Sequence, residues 1–357
     1  MSRERVTLLG MDESELTELV TGEGEPSFRA RQLTAWLYSR LAVDFDEMTD
    51  ISKRFRIRLK EFCTIGSLKV VDRKESSDGA IKYLYRAGDG ARFESMYLPE
   101  ARRTTICLST QVGCALDCKF CATGRMGFVR DLTAGEIIEQ IIHTARDTGG
   151  LPSNVVLMGM GEPLLNYEAT AKAIGLMNTE RGLQIGRRRM TLSTVGIVPG
   201  IDRLAGEDIG IGLALSLNFP TDKLRERYMP INRKYPLGSL VEALKRYQKT
   251  TRRRNTLEYV MIEGVNLGPK QASELGSMAR LMGAKINLIP YNPVPGFDFQ
   301  SPTAAEVERF AGALYEVYPN ITVRDSRGKD IQGACGQLAA GETGPKRTKP
   351  GGKSPAG

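Results

Sequence analysis

A chain of 357 residues, 41% hydrophobic and 26% charged, can bury one large core and a smaller one, which excludes a wholly disordered or fibrous protein. No apolar run approaches the roughly 18 residues of a membrane span, and the acidic first twenty residues exclude a secretory leader, so a cytoplasmic protein with no membrane is expected. The formal charge of +8 favours a polyanionic partner such as nucleic acid, against the alternative of a mildly basic enzyme without one.

Residues 1–64 read as short helices forming a small all-α accessory domain. "DESELTELV" opens with acids, "SFRARQLTAWLYSR" carries Phe28, Ala35, Trp36 and Leu37 at helical spacing, and "DISKRFRIRLKEF" follows. Within it Lys53, Arg54, Arg56, Arg58 and Lys60 make a candidate phosphate-contacting face, with Arg187, Arg188, Arg189, Arg252, Arg253 and Arg254 expected to extend it across the barrel, or else a solvated helix face. Residues 65–100 hold three apolar or alternating runs split by "SSDG" and "AGDG", which predicts an antiparallel extension. From 101 to 340 strand candidates ("TTICLS", "NVVLM", "RMTLS", "GLALSL", "TLEYVMI", "KINLIP", "ITVRD") alternate with helical segments, one capped by Thr133 and Glu136. That alternation predicts an α/β fold, about six βα units in an open or nearly closed barrel with its site at the strand C-termini. Residues 341–357 are Gly-, Pro- and Lys-rich and predict a disordered basic tail.

Four of the six cysteines fall within "CLSTQVGCALDCKFCATG": Cys107, Cys114, Cys118 and Cys121. In a reducing compartment such clustering points to metal or redox chemistry. Three thiolates spaced C-x3-C-x2-C suit a [4Fe–4S] cluster. The missing fourth ligand leaves one iron open to a chelating amino acid such as the methionine part of S-adenosylmethionine. Zinc is the competing explanation. The only histidine, His143, falls off the Ile137, Ile138, Ile141, Ile142 stripe of its helix and reads as a surface residue. Cys107 is the other candidate for a fourth zinc ligand, at an atypical spacing. Cys63 reads as a packing cysteine.

The cysteine triplet followed by "MGMGEP" resembles the radical S-adenosylmethionine enzymes. The longer words "STQVGCALDCKFCATGRMGFVRDLTAGEI", "NVVLMGMGEPLLNY", "TLSTVGIVPGI", "MPINRKYPL", "LIPYNPVPG" and "DIQGACGQLA" resemble the RNA adenine-C2 methyltransferases of the RlmN family, from about residue 8 to 340. The resemblance implies a partial (β/α)6 radical-SAM barrel. It implies one cluster on Cys114, Cys118 and Cys121, and two S-adenosylmethionines per turnover. The partners implied are 23S rRNA, tRNA and a flavodoxin- or ferredoxin-type reductant, with the protein a monomer.

C2 of adenine is too electron-poor to attack a methyl sulfonium, so a radical route is required. By the resemblance, Cys335 carries the methyl, Cys107 resolves the protein–RNA adduct by forming a disulfide, and Glu94 accepts the C2 proton. Taken alone, Cys335 reads as a small buried residue and Glu94 as a solvent-facing one. The implied S-adenosylmethionine contacts are Gly161, Glu162, Ser193, Ser216, Leu217, Asn218 and Asn292. The family reads S-L-H-A where this chain reads "SLNFP", so Asn218 keeps hydrogen bonding but loses any protonation role. Two alternatives stay open: a relative that methylates C8 of the same rRNA adenine, and a non-catalytic zinc RNA-binding protein.

Overall fold

The computed structural model describes residues 5–207 and 209–340; the expected tail over 341–357 lies outside them. Helices α1 (Glu13–Gly22), α2 (Phe28–Thr34) and α3 (Lys53–Phe62) open the chain. The segment is not purely helical, because Val6–Thr7 pairs in parallel with Cys63–Thr64. Asp12 caps α1 reciprocally with Glu15, and Ser52 caps α3. Leu16, Val20, Leu33, Leu37, Phe55 and Leu59 are buried together. Each contributes about 1.5–3 kcal/mol, more than the surface ion pairs around them. Phe28, expected on the apolar face, is 43% exposed. The chain passes from α2 into a single π-turn at Ala35–Ser39, which buries Trp36 and Leu37 and leaves Phe28 outside.

Strands β1 (Lys69–Glu75), β2 (Ile81–Arg86), β3 (Arg92–Glu100) and β4 (Arg103–Cys107) form an antiparallel meander. Then β5 (Asn154–Leu157), β6 (Met190–Thr194), β7 (Gly212–Ser216), β8 (Thr256–Met261), β9 (Lys285–Pro290) and β10 (Ile321–Val323) follow β4 in parallel. The sheet order is β10-β9-β8-β7-β6-β5-β4-β3-β2-β1, with the two ends apart, so the barrel is open. The crossovers carry α4 (Ala134–Thr148), α5 (Tyr167–Asn178), α6 (Val198–Gly206), α7 (Asp222–Tyr228), α8 (Leu237–Thr251), α9 (Pro269–Met282) and α10 (Ala304–Val317).

Helix α4 is buried on almost every side, which corrects the reading of His143. Its isoleucines face the sheet, while its polar face meets the N-terminal segment and the meander. Glu139 accepts from the Ser67 and Leu68 N–H groups at 2.9 and 3.0 Å, and Glu136 pairs with Arg130 at 2.8 Å. His143 lies half-buried against the Tyr85 ring, 6.0 Å between centroids, with Nε2 3.4 Å from Glu139. The segment leading into α1 docks on the same helix through backbone. A Cβ on Gly135 would stand 2.2 Å from the Leu9 carbonyl oxygen, and one on Gly10 (φ +98°) 2.6 Å from the Gly135 nitrogen.

Candidate active site

Every parallel strand delivers its C-terminal end to one face. Cys107 ends β4, Gly161 and Glu162 follow β5, Ser193 lies near the end of β6, and Ser216 ends β7. Two cavities open there. The first, 180 Å³, is lined by Cys114, Cys118, Cys121, Glu162, Ser193 and Ser216 among others. The second, 750 Å³, is lined by Cys107, Cys121, Arg324 and Cys335 among others. Cys121, Arg324 and Cys335 belong to both, so the two cavities meet beneath Cys335.

The loop of Cys335 is pinned over this junction. The Gly336 carbonyl accepts from Ala122 N–H at 2.8 Å, that of Leu338 from Thr123 Oγ1 at 2.7 Å, and Gln337 donates to the Pro293 carbonyl at 2.8 Å. Cys335 is exposed, but the surface it exposes lines the cavities, and loss of solvent around the thiol raises its pKa. Cys107 is buried; burial, with the nearby Cys335, pushes its thiol up to about 12. All six cysteines are unbridged.

Burial likewise pushes Cys114 up to about 12 and Cys118 well above the usual thiol range, so a metal taken up here must displace protons. Among the described residues no three His, Cys, Asp or Glu side chains converge as donors to a single ion. A cluster asks for less convergence, since each thiolate takes its own iron. The donors fit a cluster: three sulfurs on one cavity wall, with His143 away against Tyr85.

Gly161 has φ +98°, and a Cβ there would strike Gln111 at 2.5 Å. Its glycine is thus required by the Gln111 side chain, whose Oε1 accepts from Glu162 N–H at 2.8 Å. Glu162 is buried, and burial pushes its carboxyl up to about 7 despite hydrogen bonds from the Val195 and Leu164 N–H groups. A carboxyl whose folded pKa exceeds its usual 4.5 stabilises the fold fully below that value and loses the contribution as pH rises through about 7. Cofactor-free protein therefore loses stability relative to Glu162→Gln between pH 5 and 8, and melting curves of both across that range check it.

Ser193 and Ser216 place their hydroxyls 3.1 Å apart on the cavity wall. Asn218 also lines it, with its amide used internally: Oδ1 accepts from Val260 N–H at 3.0 Å. Its φ of +57° explains the tolerated change, since asparagine and histidine are both enriched in the left-handed region. Two expected contacts stand just behind the linings of both cavities. Leu217 is wholly buried in the core, with its carbonyl taken by Arg225 and its N–H by Leu215. Asn292 donates to Ser326 Oγ at 3.0 Å and the Cys335 carbonyl at 3.3 Å, so it holds the Cys335 loop.

Glu94 is buried, 4% exposed, and not solvent-facing. Lys82 Nζ lies 3.2 Å from Oε1, and Ala339 N–H donates to Oε2 at 2.9 Å. It therefore supports the C-terminal loop from behind, outside the lining of both cavities. Two charged residues lining the first cavity escaped sequence reasoning. Glu258, on β8, is buried with Oε1 accepting from Asn287 at 3.0 Å and Oε2 unpartnered. Burial raises its pKa. A lone acid inside the apolar run "TLEYVM" was the available signal. Arg324 follows β10 and reaches both cavities, but in "VRDSRGK" nothing sets it apart from its charged neighbours.

The basic groups also sort by face. Arg187, Arg188 and Arg189 immediately precede β6, and Arg252, Arg253 and Arg254 precede β8. Both triplets thus sit at the strand N-termini, opposite the cavities, and cannot extend a grip across the site. On α3, Arg58 pairs with Glu23 at 2.5 Å, Lys60 with Asp46 at 2.8 Å, and Arg56 lies 3.9 Å from Asp46. Lys53 and Arg54 remain exposed.

Comparison with known proteins matches residues 6–65 to the ribosomal RNA large subunit methyltransferase N-terminal domain and residues 108–275 to the radical SAM superfamily. A protein named dual-specificity RNA methyltransferase RlmN from Marinobacter nauticus is 44% identical over 343 residues, covering 94% of this chain and 93% of its own. One of the same name from Anaeromyxobacter dehalogenans is 45% identical over 346 residues, covering 95% and 92%. The crystal structure of a radical SAM methyltransferase from Sphaerobacter thermophilus superposes with a TM-score of 0.91 at 44% identity, covering 94% of this chain and 99% of that one.

Proposed function

We propose, from the premise that the chain belongs to the RlmN family of dual-specificity RNA methyltransferases within the radical SAM superfamily, that it methylates C2 of an adenine in 23S rRNA and of the adenine beside the tRNA anticodon. The observation that carries this reading is the meeting of two cavities beneath Cys335, one lined by the cysteine triplet and the other by Cys107.

Cys114, Cys118 and Cys121 hold the [4Fe–4S] cluster, and Glu162, Ser193 and Ser216 line the space for S-adenosylmethionine. Bound there, the cluster would supply one-electron reductive cleavage of S-adenosylmethionine, and so a hydrogen-abstracting 5′-carbon, drawing its electron from a low-potential flavodoxin- or ferredoxin-type reductant. Cys335 first takes a methyl from one S-adenosylmethionine by displacement. Its S-methyl group then gives up one hydrogen atom, and the remaining methylene bonds to C2. Glu94 accepts the C2 proton. Each of its oxygens takes one contact, from Ala339 N–H or Lys82, and keeps a lone pair for the proton. The adduct gives its unpaired electron back to the one-electron partner. The Cys107 thiolate then attacks the Cys335 sulfur and breaks its bond to the methylene carbon, and a proton added to that carbon completes the methyl group. A dithiol reductant reopens the Cys107–Cys335 disulfide before the next turnover. The adenine enters the 750 Å³ cavity, which is roomy enough for a base turned out of its stack. The protein works as a monomer in the cytoplasm, where its RNA lies.

The same residues serve C8 methylation, so the product decides. Nucleoside mass spectrometry of rRNA and tRNA, from cells with and without the protein, should find 2-methyladenosine only where it is present. 8-Methyladenosine would favour the alternative, and neither product would overturn both.

RNA grip falls to Lys53 and Arg54. Neutralising both lowers RNA affinity and reduces the log–log salt slope by roughly 0.7–0.9 for each phosphate no longer neutralised. Arg58→Gln, which removes a charge already paired with Glu23, leaves the slope nearly unchanged. An affinity series in salt separates the two; an unmoved slope in the double variant puts the grip elsewhere.

A further inference from the structure

Arg225 is fully buried, and every hydrogen-bond acceptor it has is neutral. Nε donates to the Leu217 carbonyl at 3.2 Å and Nη1 to Asn232 Oδ1 at 2.9 Å, while Nη2 donates to the carbonyls of Val195 and Ser216. Asp222 stands behind Asn232, whose Nδ2 donates to Asp222 Oδ1 at 2.7 Å. Among the described residues no carboxylate makes an ion pair with the guanidinium. Burial is severe enough to hold its pKa down to about 10. Neutral carbonyls satisfy donors but do not balance a charge taken out of water.

The cysteine loop lies on the other side. Lys119 N–H donates at 2.9 Å to the carbonyl of Tyr228, the last residue of the helix that carries Arg225. Phe120 meets Phe219 edge-on at 5.8 Å, and Phe219 stacks on Tyr228 at 4.9 Å, with Cys118 and Cys121 packed against the same cluster. Val195 and Ser216, whose carbonyls Arg225 holds, line the same cavity as Cys118.

We propose that Arg225 is the fixed counter-charge of the iron–sulfur cluster, holding its reduction potential up while clamping the ends of β6 and β7 beside it. The inference rests on the reading that Cys114, Cys118 and Cys121 hold that cluster. Three thiolates bring negative charge into a desolvated pocket, and reduction adds one electron more, from a low-potential one-electron donor, with no bond made or broken. A buried cation favours the reduced state over the oxidised one, since net charge, hydrogen bonding and burial set such potentials. The clamp gives the same side chain a second effect: Ser216 lies on the cavity wall beside Ser193. Arg225 is a positioning residue and touches no substrate.

The test uses the full chain, reconstituted anaerobically with iron and sulfide, and its Arg225→Lys and Arg225→Gln variants. Iron content and the cluster's potential, from a dithionite redox titration followed by electron paramagnetic resonance, are read without RNA. The melting temperature of each cluster-free protein is taken alongside. The glutamine variant should show about a tenfold lower ratio of reduced to oxidised cluster at a fixed solution potential, equivalent to about 59 mV for one electron. The lysine variant keeps the charge and should stay near the parent, although both variants lose carbonyl bonds and melt earlier. An unchanged ratio in the glutamine variant overturns the proposal, as does an equal shift in both variants or loss of cluster from both. A parent that takes up no cluster overturns the reading of the cysteines instead, and the inference falls with it.

Discussion

Cys335→Ala abolishes methyl transfer to RNA, by at least about a thousandfold, while cluster content is unchanged. In the proposed function the thiol is the covalent carrier, and deleting a covalent catalyst removes its route rather than weakening it. The substitution is otherwise mild. Cys335 projects into the cavities, and its loop is fixed through Gly336, Gln337 and Leu338 and through its own carbonyl, all of which survive in alanine. A stability change within about 0.5 kcal/mol is expected at such a site. Iron analysis, melting temperature and transfer of radiolabelled methyl to RNA check the three parts. Continued turnover would require the methyl to travel another way.

For Cys107→Ala the expected result is a trapped intermediate. Cys335 still takes a methyl and still bonds to C2, but no neighbouring thiol displaces the linkage. The protein stays attached to its RNA and turnover stops after one event. Cys107 is buried at the end of β4, so the truncation costs about 1 kcal/mol, too little to unfold the chain. A denaturing gel of the reaction with dithionite should show the RNA shifted to the protein. Free, unmodified protein and RNA would remove Cys107 from the resolving role.

Much of the architecture was legible because it rests on local rules. The strand candidates from "TTICLS" to "ITVRD" are β4 to β10, and Thr133 with Glu136 does cap α4. The cysteine triplet announced the chemistry through spacing. Other features depend on what the fold brings alongside. The basic run over residues 51–60 holds no acid, yet Glu23, Asp44 and Asp46 approach from other turns and neutralise much of it. His143 looked exposed only because the meander packed over α4 is distant in sequence. Leu217 and Asn292 were placed by motif, and a motif does not say which way a strand end turns its side chain. The arginine triplets could have been placed correctly, since each directly precedes a parallel strand and such sites lie at the other end. Arg225 could not: in "LRERYMPINRKY" a buried cation reads like its solvated neighbours.

The central claim is that the methyl reaches RNA through Cys335 and gives up one hydrogen on the way. Reaction with S-adenosylmethionine bearing a fully deuterated methyl group, in protein freed of prior methylation, tests it most directly. Mass spectrometry should find a deuterated S-methyl group at Cys335 before RNA is added, then one deuterium in 5′-deoxyadenosine and two in the methyl group of the product adenosine. A product that keeps all three deuteriums, with none in 5′-deoxyadenosine, would mean direct displacement and would contradict the account.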